Sequence, residues 1–168
     1  MSFIAQLAMA PPEAVDIPTF AATQLALLDA ELQCELSETS SLISNTSPTS
    51  LQHAGVAVTN LTLMSQRTGL GGKTVLELGP DPATAGVDGK LSEHGIRTGD
   101  IVVVSEQPAG SARKREAKEL EAKGGRGVVV RVGRSAVQVA LDGEDDGAVL
   151  GMKRMWIVKL ANDVTYKR

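Results

Sequence analysis

Aromatic side chains are almost missing from this sequence: Phe3, Phe20, Trp156 and Tyr166 are the only ones in 168 residues. A core made without them must be aliphatic, from Val, Leu, Ile and Ala. Their scarcity also bears on ligands, because sequence-tolerant binding of single strands usually stacks bases on several rings. Cysteine is scarcer still. Cys34 stands alone, which excludes an internal disulfide framework and fits a reducing, intracellular compartment, nucleus or cytoplasm. His53 and His94 are the only histidines, each in a loop-like context without a cysteine nearby. A structural role suits both better than a metal or nucleophile site. The N-terminus lacks the basic region and continuous apolar run of a secretory signal, and no segment approaches the ~18 apolar residues of a membrane span.

Positive charge is absent from one part of the chain. Residues 1–60 carry six acids and no lysine or arginine, whereas 113–134 carry eight bases against three acids, within a net charge of −3 overall. The eight are Arg113, Lys114, Arg115, Lys118, Lys123, Arg126, Arg131 and Arg134. Such a patch can neutralise phosphates by releasing counterions, giving affinity without sequence preference. A solvated charged loop explains the same composition. The acids Asp142, Glu144, Asp145 and Asp146 lie on a loop without the fixed separation that acid/base chemistry needs, and a solvated loop explains them best. No catalytic constellation, cofactor site or metal site is expected in this chain.

Organisation follows from periodicity. Residues 1–18, with Pro11, Pro12 and Pro18, predict a flexible leader. Leu25, Leu28, Leu32 and Leu36 share a face, predicting an acidic amphipathic helix over about 19–40 with Thr19 as its cap. A polar connection and a short helical turn after Pro48 complete a unit spanning 19–55. From 56 to 160 the pattern is β, interrupted by a basic insertion at 106–126. Val56 and Val58 alternate, then Leu61 and Leu63 take the opposite phase, predicting a bulge near Thr59-Asn60. The run Ile101-Val102-Val103-Val104 predicts a buried strand. Val128, Val130 and Val132, a Gly133-Arg134 turn, then Val137, Val139 and Leu141 predict a hairpin. Trp156, Val158 and Leu160 predict a last strand. Residues 161–168, capped by Asn162, open a second helix that is cut short. The expected fold is mainly β with flanking α: a small barrel of about six strands on a truncated helical stalk.

The segment Gly72-Lys73-Thr74 resembles the end of a nucleotide phosphate loop. A phosphate loop needs a glycine at position 67, which holds arginine, and a helix after the lysine. Thr74, Leu76 and Leu78 instead alternate with Val75 and Glu77, and Gly79-Pro80-Asp81-Pro82 would stop any helix. The residues predict strand, glycine turn, strand.

Three blocks carry a family resemblance: Ser65-Gln66-Arg67-Thr68-Gly69-Leu70-Gly71-Gly72-Lys73, the strand entry Gly99-Asp100-Ile101-Val102, and Lys159-Leu160-Ala161-Asn162-Asp163-Val164-Thr165-Tyr166-Lys167-Arg168. Together they resemble the N-terminal region of superfamily 1 helicases of the immunoglobulin-mu-binding protein and fungal DNA helicase A type, from about Phe20 to Arg168. The resemblance implies a non-catalytic stalk and β-barrel, accessory to the first motor domain of an ATP-dependent 5′-to-3′ DNA or RNA helicase. It implies ATP and Mg²⁺ for the parent, bound outside this chain. The implied partners are single-stranded DNA or RNA, held through the phosphate backbone, and the parent's motor domains; no membrane is expected. An alternative is a protein-interaction barrel that docks on its own motor domain or on a partner protein. The uncovered leucine stripe adds an expectation of self-association.

Overall fold

The computed structural model describes residues 14–108, 124–143 and 149–162. The first helix, α1 (Ile17–Asn45), begins two residues earlier and ends five later than its leucine spacing predicts. Its cap is Asp16, whose carboxylate accepts from the Thr19 backbone N–H at 3.1 Å and from the Thr19 hydroxyl. Thr19 is therefore the capped residue and not the cap. Pro18 sits in the first turn, where its missing N–H costs nothing. At the far end Ser41 and Asn45 bond side chain to backbone (Asn45 Nδ2 to Ser41 O, 2.9 Å), which carries the helix through a polar stretch.

A second helix, α2 (Pro48–His53), is capped by Ser47 at its start and Ala54 at its end. Gly55 has φ +80, and a Cβ there would stand 3.2 Å from the Gly95 nitrogen, so the position requires glycine twice over.

Six strands follow: β1 (Ala57–Thr68), β2 (Thr74–Pro80), β3 (Ile101–Glu106), β4 (Gly125–Val132), β5 (Val137–Leu141) and β6 (Met155–Lys159). All pair antiparallel and close as a barrel in the order β1-β2-β5-β4-β3-β6. Closure removes every exposed sheet edge. The long strand β1 pairs with β6 near its start and β2 towards its end, and it turns between them at two irregularities. The first lies between Val58 and Leu61, where Asn60 takes φ 55. The second lies between Leu63 and Ser65. The backbone groups freed at the first are recovered locally: Gln52 Oε1 accepts from Thr59 N (3.2 Å) and Gln107 Oε1 from Asn60 N (2.6 Å). Bulges of this kind bend strands where barrels turn.

Two apolar clusters hold the unit. The barrel interior contains Val58, Leu61, Leu76, Leu78, Val102, Val104, Val129, Val137, Val139, Leu141, Met155 and Ile157, and Ile96 from the loop before β3 joins them. A second cluster, Ile43, Leu51, Ala57, Trp156 and Val158, fastens the helices to the outside of β1 and β6. Strand β3 therefore reads as continuous apolar sequence because both of its faces are covered.

Two parts of the predicted hairpin shift. A register irregularity between Val129 and Arg131 turns Val129 inward and leaves Val130 42 % exposed, so Val130 is not the core residue that simple alternation predicts. Gly133 N–H donates to Ala136 O at 2.8 Å, so the turn residues are Arg134 and Ser135 and Gly133 flanks them. In the last strand Met155 and Ile157 fill the barrel, while Trp156 and Val158 face the helices. The helix start predicted at Asn162 continues into residues outside those described.

Candidate nucleic-acid interface

Of the eight basic residues singled out by charge, Arg113, Lys114, Arg115, Lys118 and Lys123 lie outside the described residues. The other three sit on one hairpin. Arg126 is half-buried on β4, opposite Val103, and its carbonyl accepts from Asp142 N at 2.7 Å. Arg131 is exposed on the same strand, opposite Gln138 of β5. Arg134 is exposed at the tip.

Around them the fold assembles residues that charge counting did not select. Pairing aligns Ser65 (β1), Glu77 (β2), Gln138 (β5) and Arg131 (β4) across four strands on the outer face. Ser65 Oγ donates to Glu77 Oε2 at 2.8 Å, and Gln138 Nε2 reaches Glu77 Oε1 at 3.4 Å. Arg67 extends across β2 and donates through Nη2 to Gln138 Oε1 at 3.0 Å. The hydrogen bonds from Ser65 and Gln138, aided by the nearby charges of Arg67 and Arg131, hold the Glu77 carboxyl below its ordinary range. The sequence signal that could have found this row is Ser65-x-Arg67. Both residues lie on one face of the exposed end of β1, with Gln66 and Thr68 on the alternate positions.

Two shallow grooves border the row. One, of about 210 Å³, is lined by Glu77, Arg131, Gly133, Ser135, Ala136 and Gln138. The other, of about 570 Å³, lies on the far side of Gly133 between Arg134 and Lys90-Leu91-Ser92-Glu93-His94. The second groove owes its shape to Leu91, whose N–H donates to Arg134 O at 2.9 Å and fastens the loop to the hairpin. His94 is partly buried there; desolvation lowers its pKa, and its buried Nδ1 has no hydrogen-bond partner.

The Gly72-Lys73-Thr74 segment connects β1 to β2 through a short 3₁₀ turn, Leu70–Gly72, in which Gly71 and Gly72 have φ 73 and 75. A strand, not a helix, follows it, so no helix N-terminus faces the loop. Lys73 Nζ pairs with Asp142 at 2.7 Å across the barrel surface. The lysine is one partner of an exposed ion pair, worth at most about 1 kcal/mol. Trp156 is fully buried and cannot stack on a base. Among the described residues no helix is long and apolar enough to cross a membrane.

Comparison with known proteins agrees with this architecture. The family model for the Helicase SMUBP-2/HCS1, 1B domain matches residues 21–160. The chain is 32% identical over 152 residues to DNA polymerase alpha-associated DNA helicase A of Schizosaccharomyces pombe, covering 90% of this chain and 22% of that protein. It is 34% identical over 155 residues to DNA-binding protein SMUBP-2 of Mus musculus, covering 90% of this chain and 14% of the relative. A third relative, DNA polymerase alpha-associated DNA helicase A of Saccharomyces cerevisiae, is 30% identical over 149 residues, 82% of this chain and 21% of its own length. The chain thus spans less than a quarter of the relatives it matches, and the match covers both the helix and the closed barrel. It belongs to the SMUBP-2/HCS1 helicase family, as that family's 1B accessory β-barrel with the helix that precedes it.

Proposed function

We propose that this chain is a non-catalytic element that positions single-stranded DNA or RNA against the motor of an ATP-dependent 5′-to-3′ superfamily 1 helicase. The observation that carries the reading is the β4–β5 hairpin. It sets Arg131 and Arg134 on the barrel surface, downstream in sequence of the basic stretch 113–126. Guanidinium groups on a hairpin face whose described residues include no aromatic ring favour contact with the phosphate backbone over contact with bases. The names of the relatives, a DNA helicase and a DNA-binding protein, support the ligand class. ATP and Mg²⁺ belong, in this reading, to the motor domains of the longer protein.

Salt-titrated binding of labelled single-stranded DNA and RNA tests it. Engagement of four phosphates of a single strand gives a slope of log K against log salt of roughly −3. Replacement of Arg113, Lys114 and Arg115 by alanine is expected to weaken binding and flatten that slope. Absence of binding even at low salt would sink the reading.

The exposed leucines of α1 favour a second, compatible role in protein contact. Leu25 is 66 % and Leu28 41 % exposed, and a helix with such a stripe gains stability from a partner surface. In the parent the stripe would pack against a second stalk helix or the motor. A protease that cuts α1 in this chain but spares it in the full-length protein would support that role; equal cutting would count against it.

A further inference from the structure

The outer face of β1-β2-β5-β4 holds two arginines, of which Arg67 is held in place by Gln138 and both are little used. Arg67 spends one N–H on Gln138, and Arg131 makes no hydrogen bond among the described residues. A guanidinium carries its donors in a rigid planar fork suited to phosphate oxygens, so most of the donors on both residues remain available. Between them stands a single anion, Glu77, anchored by Ser65 and Gln138. One carboxylate against two guanidiniums leaves one positive charge uncompensated at the row. The ordering of Arg67 by Gln138 lowers the entropy cost of binding there.

The surroundings suit an extended ligand better than an isolated ion. The groove beside Arg131 and the groove beside Arg134 meet at Gly133, which places no side chain between them. Cations thus follow one another from Arg131 to Arg134 along a shallow path, and Arg67 stands beside its start, on Gln138. Recurring charge along a line matches a polymer whose charge recurs.

We propose that the Arg67–Arg131 pair is a phosphodiester-binding subsite for single-stranded nucleic acid, with Glu77 as a positioning residue that also moderates its strength. The inference rests on the reading that the barrel binds nucleic acid, and assigns contact to the folded strand face in addition to the basic insertion. Glu77 holds the frame by accepting from two uncharged donors, Ser65 and Gln138, while its charge opposes the ligand. Removing the charge and keeping the shape therefore strengthens binding, an effect that a purely structural glutamate would not produce.

The test uses the 168-residue chain with labelled oligo-dT and oligo-U over a salt series. The double variant Arg67→Gln/Arg131→Gln is expected to lose about tenfold in affinity at moderate salt and to flatten the salt slope by about 1.4, two single-strand contacts' worth. Glu77→Gln is expected to bind about two- to fivefold more tightly, in line with removal of one exposed like charge. Unchanged melting temperatures confirm that both variants fold. A double variant that binds as the wild type does, while Arg113→Ala/Lys114→Ala/Arg115→Ala loses affinity, overturns this subsite and leaves the broader reading standing. No oligonucleotide binding by the wild type overturns both. Equal binding of poly-glutamate overturns the phosphodiester assignment.

Discussion

Trp156 donates its indole N–H to Ser105 Oγ at 2.8 Å, and both residues lie buried between β3 and β6. The sole tryptophan therefore reports on the seam that joins the barrel to the helices. Ser105→Ala leaves that buried N–H short of an acceptor and is expected to cost about 1–3 kcal/mol, read from urea denaturation. Intrinsic fluorescence is expected to shift on unfolding and to stay unchanged when oligonucleotide is added. Quenching on binding would mean that the ring can reach a ligand after all.

Gly127 marks a tight approach of one strand to the backbone of the next. A Cβ there would stand 2.4 Å from Ala140 O and 2.9 Å from Val139 Cγ1, with a strand on either side to resist movement. Gly127→Ala is expected to destabilise the barrel by about 3 kcal/mol, as overpacking of a closed core does. Gly86→Ala, where nothing lies within 4 Å of the added atom, serves as the tolerated control.

His94 makes stability depend on pH. Burial favours its neutral form and outweighs a backbone hydrogen bond with Ile96 that favours the charged one. Its folded pKa lies below the unfolded value of about 6.5, so the unfolded state binds the proton more readily. Stability is therefore full above that pH and falls as the pH drops below it, levelling off once the folded ring also titrates. Denaturant midpoints from pH 7.5 to 5 are expected to decline in the wild type and to decline less in His94→Gln.

Self-association and nucleic-acid binding should respond to salt with opposite signs. The leucine face of α1 is flanked by Asp29, Glu31, Glu35 and Glu38 with no base on the helix, so two copies repel at low ionic strength. Sedimentation is expected to show association that strengthens with salt and disappears in Leu25→Gln/Leu28→Gln. The same double variant should leave barrel stability within about 0.5 kcal/mol, because both side chains are exposed.

Much of this fold is legible in the sequence for physical reasons that can be named. Strands with one side to the core, such as Val137-x-Val139-x-Leu141, announce themselves by alternation. The phase change at Thr59-Asn60 announces the bulge at Asn60, because slipping one residue exchanges the faces of a strand. Val130 misleads because a register irregularity resets the phase without any polar residue to mark it. The start of α1 misleads because Asp16 and Thr19 are both good caps, and the hydrogen bond decides between them. The Ser65–Glu77–Gln138–Arg131 row was invisible to charge counting. Its members come from four strands, and only the barrel's register brings them together.

Closure of the barrel has a mechanical side. Ala57, at the start of β1, lies opposite Val158, near the end of β6, so the chain enters and leaves the barrel on neighbouring antiparallel strands. Tension applied through those two connections loads the β1–β6 seam like a zipper, opening its hydrogen bonds in succession instead of all together. The first resistance comes from Ile43, Leu51 and Trp156, packed across the opening end. A barrel inserted in a moving protein would thus be a rigid body under compression and a yielding one under traction, and three apolar side chains would set the force at which it gives.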